Sequence, residues 1–335
     1  MNKITHLKHS IIALLGIALL SISCSRDGGL DELSGEREVI FTVNSSSIVS
    51  KASPTTTSTI TSSPFGVIAY SHADGAAATA WTLHANSTVT YTSGAWIPSP
   101  RVYWPATGSN KVSYFAYWPK VDGNGITVTP ASNAAPTATV KINNGQVDFL
   151  TAKSENLDDN PAFTALNVHL KFSHALAGIR FKCNDNVTIE SVTLSGVNNK
   201  DVYNLTTGAW SGSPSVDGSN TYSLTGITYD AASGGYKSFK LEHTLFMLPQ
   251  ILPSGAEIAV KVNGKADVIK ANMGGHVWDS GKIITYLIKE TLAGITLDIV
   301  EIKKFEDYPE DIVFGQPDVT ITPINEENDY GGILN

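Results

Sequence analysis

An all-β protein built from two β-sandwich domains in tandem is what the sequence predicts, and three observations predict it. Charged residues are 16% of the chain, below the roughly 25% usual in soluble domains. Short runs of alternating apolar and polar residues recur, each closed by Gly, Asn or Pro. Long Leu/Ala/Glu/Lys patterns of helical period are missing. Short strands joined by turn signals favour sandwiches over parallel sheets. Once an export segment is set aside, about 310 residues remain, long for one sandwich and comfortable for two. The division falls near Asn184-Asp185-Asn186. It gives an amino-terminal domain over 25–184, a carboxy-terminal domain over 185–304 and a tail over 305–335.

Residues 1–24 read as a secretory signal. Lys3 and Lys8 form a basic start, Ile11 to Leu20 an apolar run too short to span a bilayer, and Ser21-Ile22-Ser23-Cys24 a small-residue end. Cys24 directly after it fits a bacterial lipoprotein site, where the acylated thiol becomes the mature N-terminus in the outer membrane. Leu20 stands four before the cysteine rather than three; ordinary cleavage nearby is the alternative. Stable anchoring takes more than one acyl chain.

The first strand is Glu38-Val39-Ile40-Phe41-Thr42-Val43. Alternation puts Val39, Phe41 and Val43 on one face and Glu38, Ile40 and Thr42 on the other. A Ser/Thr-rich stretch around Lys51-Ala52 follows, open to a protease. Further strands are read at 65–70, 88–91, 111–117, 126–128 and 138–142. In 111–117 both faces are partly apolar, which makes it a central strand. The run from Leu170 to Ile179 is read as holding one helical turn between strands. The second half is read as a seven-strand sandwich, including 188–194, a long pattern over 238–248, 257–262 ending at the hairpin signal Asn263-Gly264, 282–288 and 295–302.

Little here points to chemistry. G-x-S-x-G, G-x-x-x-x-G-K-[ST] and H-E-x-x-H are all missing, so no catalytic residue, cofactor or metal site is assigned. A net charge of −8 and a pI near 5.5 argue against a nucleic-acid partner, whose phosphates demand a basic face. Cys183 is the second of two cysteines and alternates onto an apolar face, as a buried, inert thiol does. His169 and His174, five apart, fall on opposite faces of a strand. Glu155, Asp158 and Asp159 read as a solvated acidic loop, lacking the ligand spacing of a calcium loop. The aromatics from Tyr91 to Trp118 have two readings: core and edge packing, or a platform on which sugars stack.

At several of these residues the chain resembles the fimbrillin family, major subunits of Bacteroidetes type V pili. The matching stretches include Phe65-Gly66-Val67-Ile68-Ala69-Tyr70, Tyr103-Trp104-Pro105 and Tyr114-Phe115-Ala116-Tyr117-Trp118-Pro119. Asp148-Phe149-Leu150-Thr151-Ala152, Phe172 to Ala177, Met247-Leu248-Pro249-Gln250, and Trp278 with Gly281-Lys282 follow in order. The resemblance implies two transthyretin-like Greek-key β-sandwich domains in tandem, export as a lipoprotein through Cys24, and proteolytic loss of the first strand. A neighbouring subunit's strand then fills the vacated groove. The partners it implies are other pilus subunits, a maturation protease and, before processing, the outer membrane.

Two sites follow. Cleavage in the family comes after an arginine behind the first strand; here Lys51-Ala52 holds that place, and Arg37 lies ahead of the strand. Cutting at Arg37 would release the lipid yet leave the groove filled. Candidate donor residues are Ile312 and Phe314, then Val319 and Ile321, in short alternating runs of the tail. Donor and acceptor surfaces differ, so such contacts run head to tail and give a filament. The rival readings are a tip or anchor subunit of the same pilus, and a monomeric glycan-binding lipoprotein.

Overall fold

The computed structural model describes residues 38–45, 60–105, 110–143, 146–158, 166–291 and 294–305, all inside one compact unit that begins at Glu36. Among the described residues every regular element is a strand or a single 3-10 turn; there is no α-helix.

The first nine strands are β1 (Val39–Ser45), β2 (Phe65–His72), β3 (Thr82–Thr92), β4 (Ala95–Ser99), β5 (Lys111–Trp118), β6 (Ile126–Thr129), β7 (Thr137–Lys141), β8 (Leu150–Leu157) and β9 (Leu166–His174). Seven of them close a barrel in the order β1-β4-β3-β2-β5-β8-β9. Every seam is antiparallel except the closing one, where β9 and β1 run parallel. Closure gives every strand of the barrel a neighbour on both sides, though β1 and β4 meet at one residue pair only.

Then come β10 (Ala177–Asn184), β11 (Ile189–Ser195), β12 (Lys200–Asn204), β13 (Ala209–Trp210), β14 (Tyr222–Thr225), β15 (Tyr236–Ser238), β16 (Leu245–Met247), β17 (Gln250–Ile251), β18 (Glu257–Val262), β19 (Val268–Asn272), β20 (Val277–Trp278), β21 (Lys282–Thr291) and β22 (Gly294–Lys304). They form sheets ordered β15-β10-β21-β22, with β16 also on β10, and β14-β11-β18-β19, plus the small pair β17-β20. A further sheet, β13-β12-β7-β6, joins strands from both halves of the sequence.

Two cores result. Val39, Phe41, Phe65, Val67, Val89, Trp104, Val112, Tyr114, Leu150, Val168, Leu170 and Phe172 fill the barrel. The outer faces of β2 and β5, through Ile68, Tyr70, Phe115 and Tyr117, belong to a second and larger core with Phe149, Phe181, Phe246, Trp278 and Tyr286. As the pattern in 111–117 implies, β5 is central, lying between β2 and β8 and buried on both faces. Close packing there explains Gly66: a Cβ would sit 2.2 Å from Tyr117 Cε1, well inside contact distance.

Several local expectations need correction. The helical turn over 170–179 does not form; β9 runs through His174, and only Ala175 and Leu176 separate it from β10. The pattern over 238–248 is not one strand. It breaks at the 3-10 turn Leu241–His243 between β15 and β16. The second half holds more than seven strands. In addition β6 and β7, early in sequence, pair onward through β12.

Candidate functional site

The described residues most open to a functional reading are those around β1. Along one side β1 runs beside β9 for seven residues, from Val39 opposite Leu166 to Ser45 opposite Phe172. Its other side is held far less. Phe41 pairs with Trp96 of β4, Glu38 forms an isolated bridge with Tyr103, and the Val39 N–H donates to Val102 O at 2.9 Å. The strand is therefore the last stave of the barrel, zipped to one neighbour and tacked to the other.

Its inward face matches the alternation in the sequence. Val39 is 1% and Phe41 2% exposed, while Val43 is half-buried. The Phe41 ring meets Tyr114 at 5.8 Å and Phe65 at 6.4 Å, both edge to face, an arrangement that adds to area burial. The outward face is fastened at both ends. Glu38 forms an ion pair with Arg101, and Thr42 Oγ1 is hydrogen-bonded to His169 Nδ1 at 2.6 Å. Ile40 between them is 45% exposed. These outer contacts are solvated and hold weakly; the three inward side chains hold the strand.

Of the site residues named from sequence, Val39, Phe41 and Val43 line the barrel together. Cys24, Arg37, Lys51, Ala52, Ile312, Phe314, Val319 and Ile321 lie outside the described residues. Sequence reasoning did not find the walls of the β1 site: Val168, Leu170 and Phe172 on β9, and Trp96, Val102 and Arg101 on and after β4. No local signal marks them, since β1 and β9 are remote in sequence and joined only by register.

Other residues separate clearly. Trp104, Tyr114, Phe115, Tyr117 and Trp118 are buried, and Trp96 is half-buried against Tyr91. Of that aromatic group only Tyr91 and Tyr103 are exposed, so it is packing rather than a stacking platform. His169 is exposed on β1's outer side, whereas His174 is buried and its Nδ1 donates to Asp148 at 2.9 Å. Glu155 pairs with Lys153 and Asp158 with Lys111. Cys183 is buried, and burial pushes its thiol up to about 11.

Barrel, second core and terminal stave define an all-β protein whose first strand is paired along its length with β9 and meets β4 at a single residue pair. The family model described as fimbrillin-like matches residues 51–304, and the chain belongs to that family. The matched span starts after β1 and stops at the end of β22. In fold the chain is similar to a fimbrial protein from Bacteroides vulgatus, with TM-score 0.59, 18% identity and coverage of 80% of this chain and 99% of that one. It is also similar to a protein from Bacteroides ovatus described as a cell adhesion protein, with TM-score 0.52, 16% identity and coverage of 80% and 98%. Among curated proteins none matches the sequence.

Proposed function

We propose that the chain is a structural subunit of a surface pilus, exported as a lipoprotein through Cys24 and polymerised when β1 is released and replaced by a strand of the next subunit. In this reading the barrel and the second core are a pair of transthyretin-like sandwiches. A maturation protease cuts after Lys51, in the stretch between β1 and β2, and frees both lipid and strand. The observation that carries the proposal is the seam itself: β1 fills the barrel with Val39 and Phe41 yet meets β4 through one residue pair.

Magnitudes agree with exchange rather than simple loss. Burying a Val or Phe side chain is worth about 1.5–3 kcal/mol, and whole domains are stable by only about 5–15 kcal/mol. Emptying the β1 site would also bare the backbone groups of β9 and β4. A vacated barrel is thus barely tenable, and an incoming strand regains both terms by β-strand addition.

The test is cleavage and deletion. Protein trimmed after Lys51 polymerises, and the same protein lacking residues 311–335 stays monomeric. Polymers from the deleted protein refute the tail as donor. Surface protein recovered uniformly with β1 still attached to a solitary chain refutes the shaft role.

A further inference from the structure

The β1–β9 seam lies on the line between the two ends of the described chain. β1 joins its neighbours through β9, along seven residue pairs from Val39–Leu166 to Ser45–Phe172, and through β4 at the single pair Phe41–Trp96. Val39 stands opposite Leu166, where β9 begins. Phe305, directly after β22, lies flat on His174, where β9 ends, with ring centroids 3.9 Å apart. The first strand therefore starts at one end of β9 and the last strand finishes at the other. A pull on these two ends is directed along β9 rather than across it.

We propose that the β1–β9 seam is a mechanical clamp, holding the chain under end-to-end tension because its parallel strands are loaded in shear. The clamp belongs to the chain with β1 in its barrel. It goes beyond the assembly reading and does not depend on strand exchange.

Strand direction decides how the load falls. In a parallel pair the start of one strand and the end of the other lie far apart, so the pull slides the strands and stretches all the slanted ladder bonds together. Were β1 and β9 antiparallel, the same pull would lift them apart from one end, bond by bond. Every other seam of the barrel is antiparallel, and this one alone is set to resist.

Sliding also has no easy first step. A slip of one residue would turn Val39, Phe41 and Val43 out of the barrel, and the next matching register lies about 7 Å further on. Phe41 blocks the start of that movement, its ring set edge to face against Tyr114 at 5.8 Å and Phe65 at 6.4 Å. On the outer face Thr42 Oγ1 is hydrogen-bonded to His169 Nδ1 at 2.6 Å, and these two residues are register partners. Pulled across, the same seam has none of these defences at once, because each pair yields before the next is loaded.

Pulling one protein in two directions tests the clamp, since forced opening follows the unfolding rate rather than equilibrium stability. The full chain with Cys24→Ser carries Ile40→Cys and a second cysteine, Ser173→Cys in one version and Asn167→Cys in the other. All three positions are exposed, while Cys183 is buried. DNA handles are attached through the new thiols, kept reduced until then, and single molecules are stretched in optical tweezers at one loading rate. Handles at 40 and 173 load the seam along its length. Handles at 40 and 167, which are backbone partners, lift it from one end. Lys171→Cys, also exposed, repeats the first geometry in place of Ser173→Cys. The expected result is a rupture force severalfold higher for 40 with 173, or with 171, than for 40 with 167. Equal forces, or a higher force for 40 with 167, overturn the clamp and leave the assembly reading standing.

Discussion

The ring of Phe305 lies flat on the imidazole of His174, with centroids 3.9 Å apart and planes 11° apart. Phe246 stacks nearby at 6.4 Å, and Phe305 Cζ lies 2.9 Å from the point where a Cβ on Gly178 would sit. His174 ends β9, the barrel strand that holds β1. Phe305 directly follows β22, at the point where the tail begins. One aromatic contact therefore ties the start of the tail to the strand that forms the wall of the β1 site.

Replacing that ring should loosen the tie. Phe305 is 3% exposed, and truncating a buried phenylalanine to alanine costs about 3–5 kcal/mol. Phe305→Ala is expected to lower the urea midpoint by a corresponding amount with the slope unchanged. A shift worth under about 0.5 kcal/mol, the range of surface substitutions, would show that the stack bears no load.

The two faces of β1 predict opposite behaviour for neighbouring residues. Phe41 is 2% and Ile40 45% exposed. Phe41→Ala should cost about 3–5 kcal/mol, whereas Ile40→Ala should stay within about 0.5 kcal/mol. Equal effects in equilibrium unfolding would contradict the inward–outward assignment.

How much of this was legible beforehand depends on the kind of information. Faces were legible: alternation set Val39, Phe41 and Val43 on one face, the face that lines the barrel, and two partly apolar faces marked 111–117 as a central strand, which β5 is. Neighbours were not. Period-two patterning says which way a side chain points but not which strand lies alongside. The parallel seam from Val39–Leu166 to Ser45–Phe172 and the route from β7 to β12 therefore had no sequence signal. The helical turn read over 170–179 was also absent: Leu176 lies in the two-residue link after β9, and Ala177 and Ile179 are buried residues of β10.

Cys183 should behave as an apolar side chain. Burial pushes its thiol up to about 11, partly offset by Lys237, so at pH 8 the reactive thiolate is scarce as well as enclosed. A soluble thiol reagent is expected to leave folded protein unlabelled over a period in which denatured protein labels fully. Fast labelling of the native state at pH 8 would place the thiol at the surface instead.

Acid should act at one exposed point on the sheet that joins the two halves. Asp217 accepts hydrogen bonds from Lys200 Nζ at 2.8 Å and Lys141 Nζ at 2.9 Å; these lysines lie on β12 and β7, whose residues 200 and 141 are opposite each other. The bonds, Lys200 first and then Lys141, with the charge of both lysines, hold the carboxyl down at about 2 against an ordinary 3.8. Because the folded value is the lower one, the clasp is fully present above about pH 4 and is lost as pH falls through about 2. The carboxyl is solvated, so the effect on global stability is small and the sensitive readout is local. A carboxyl carbon titration by NMR should give a midpoint near 2 for Asp217. In Asp217→Asn the two lysine ammonium signals should lose their pH response between about 4 and 2. An Asp217 midpoint near 3.8 would mean the lysines do not clasp it in solution.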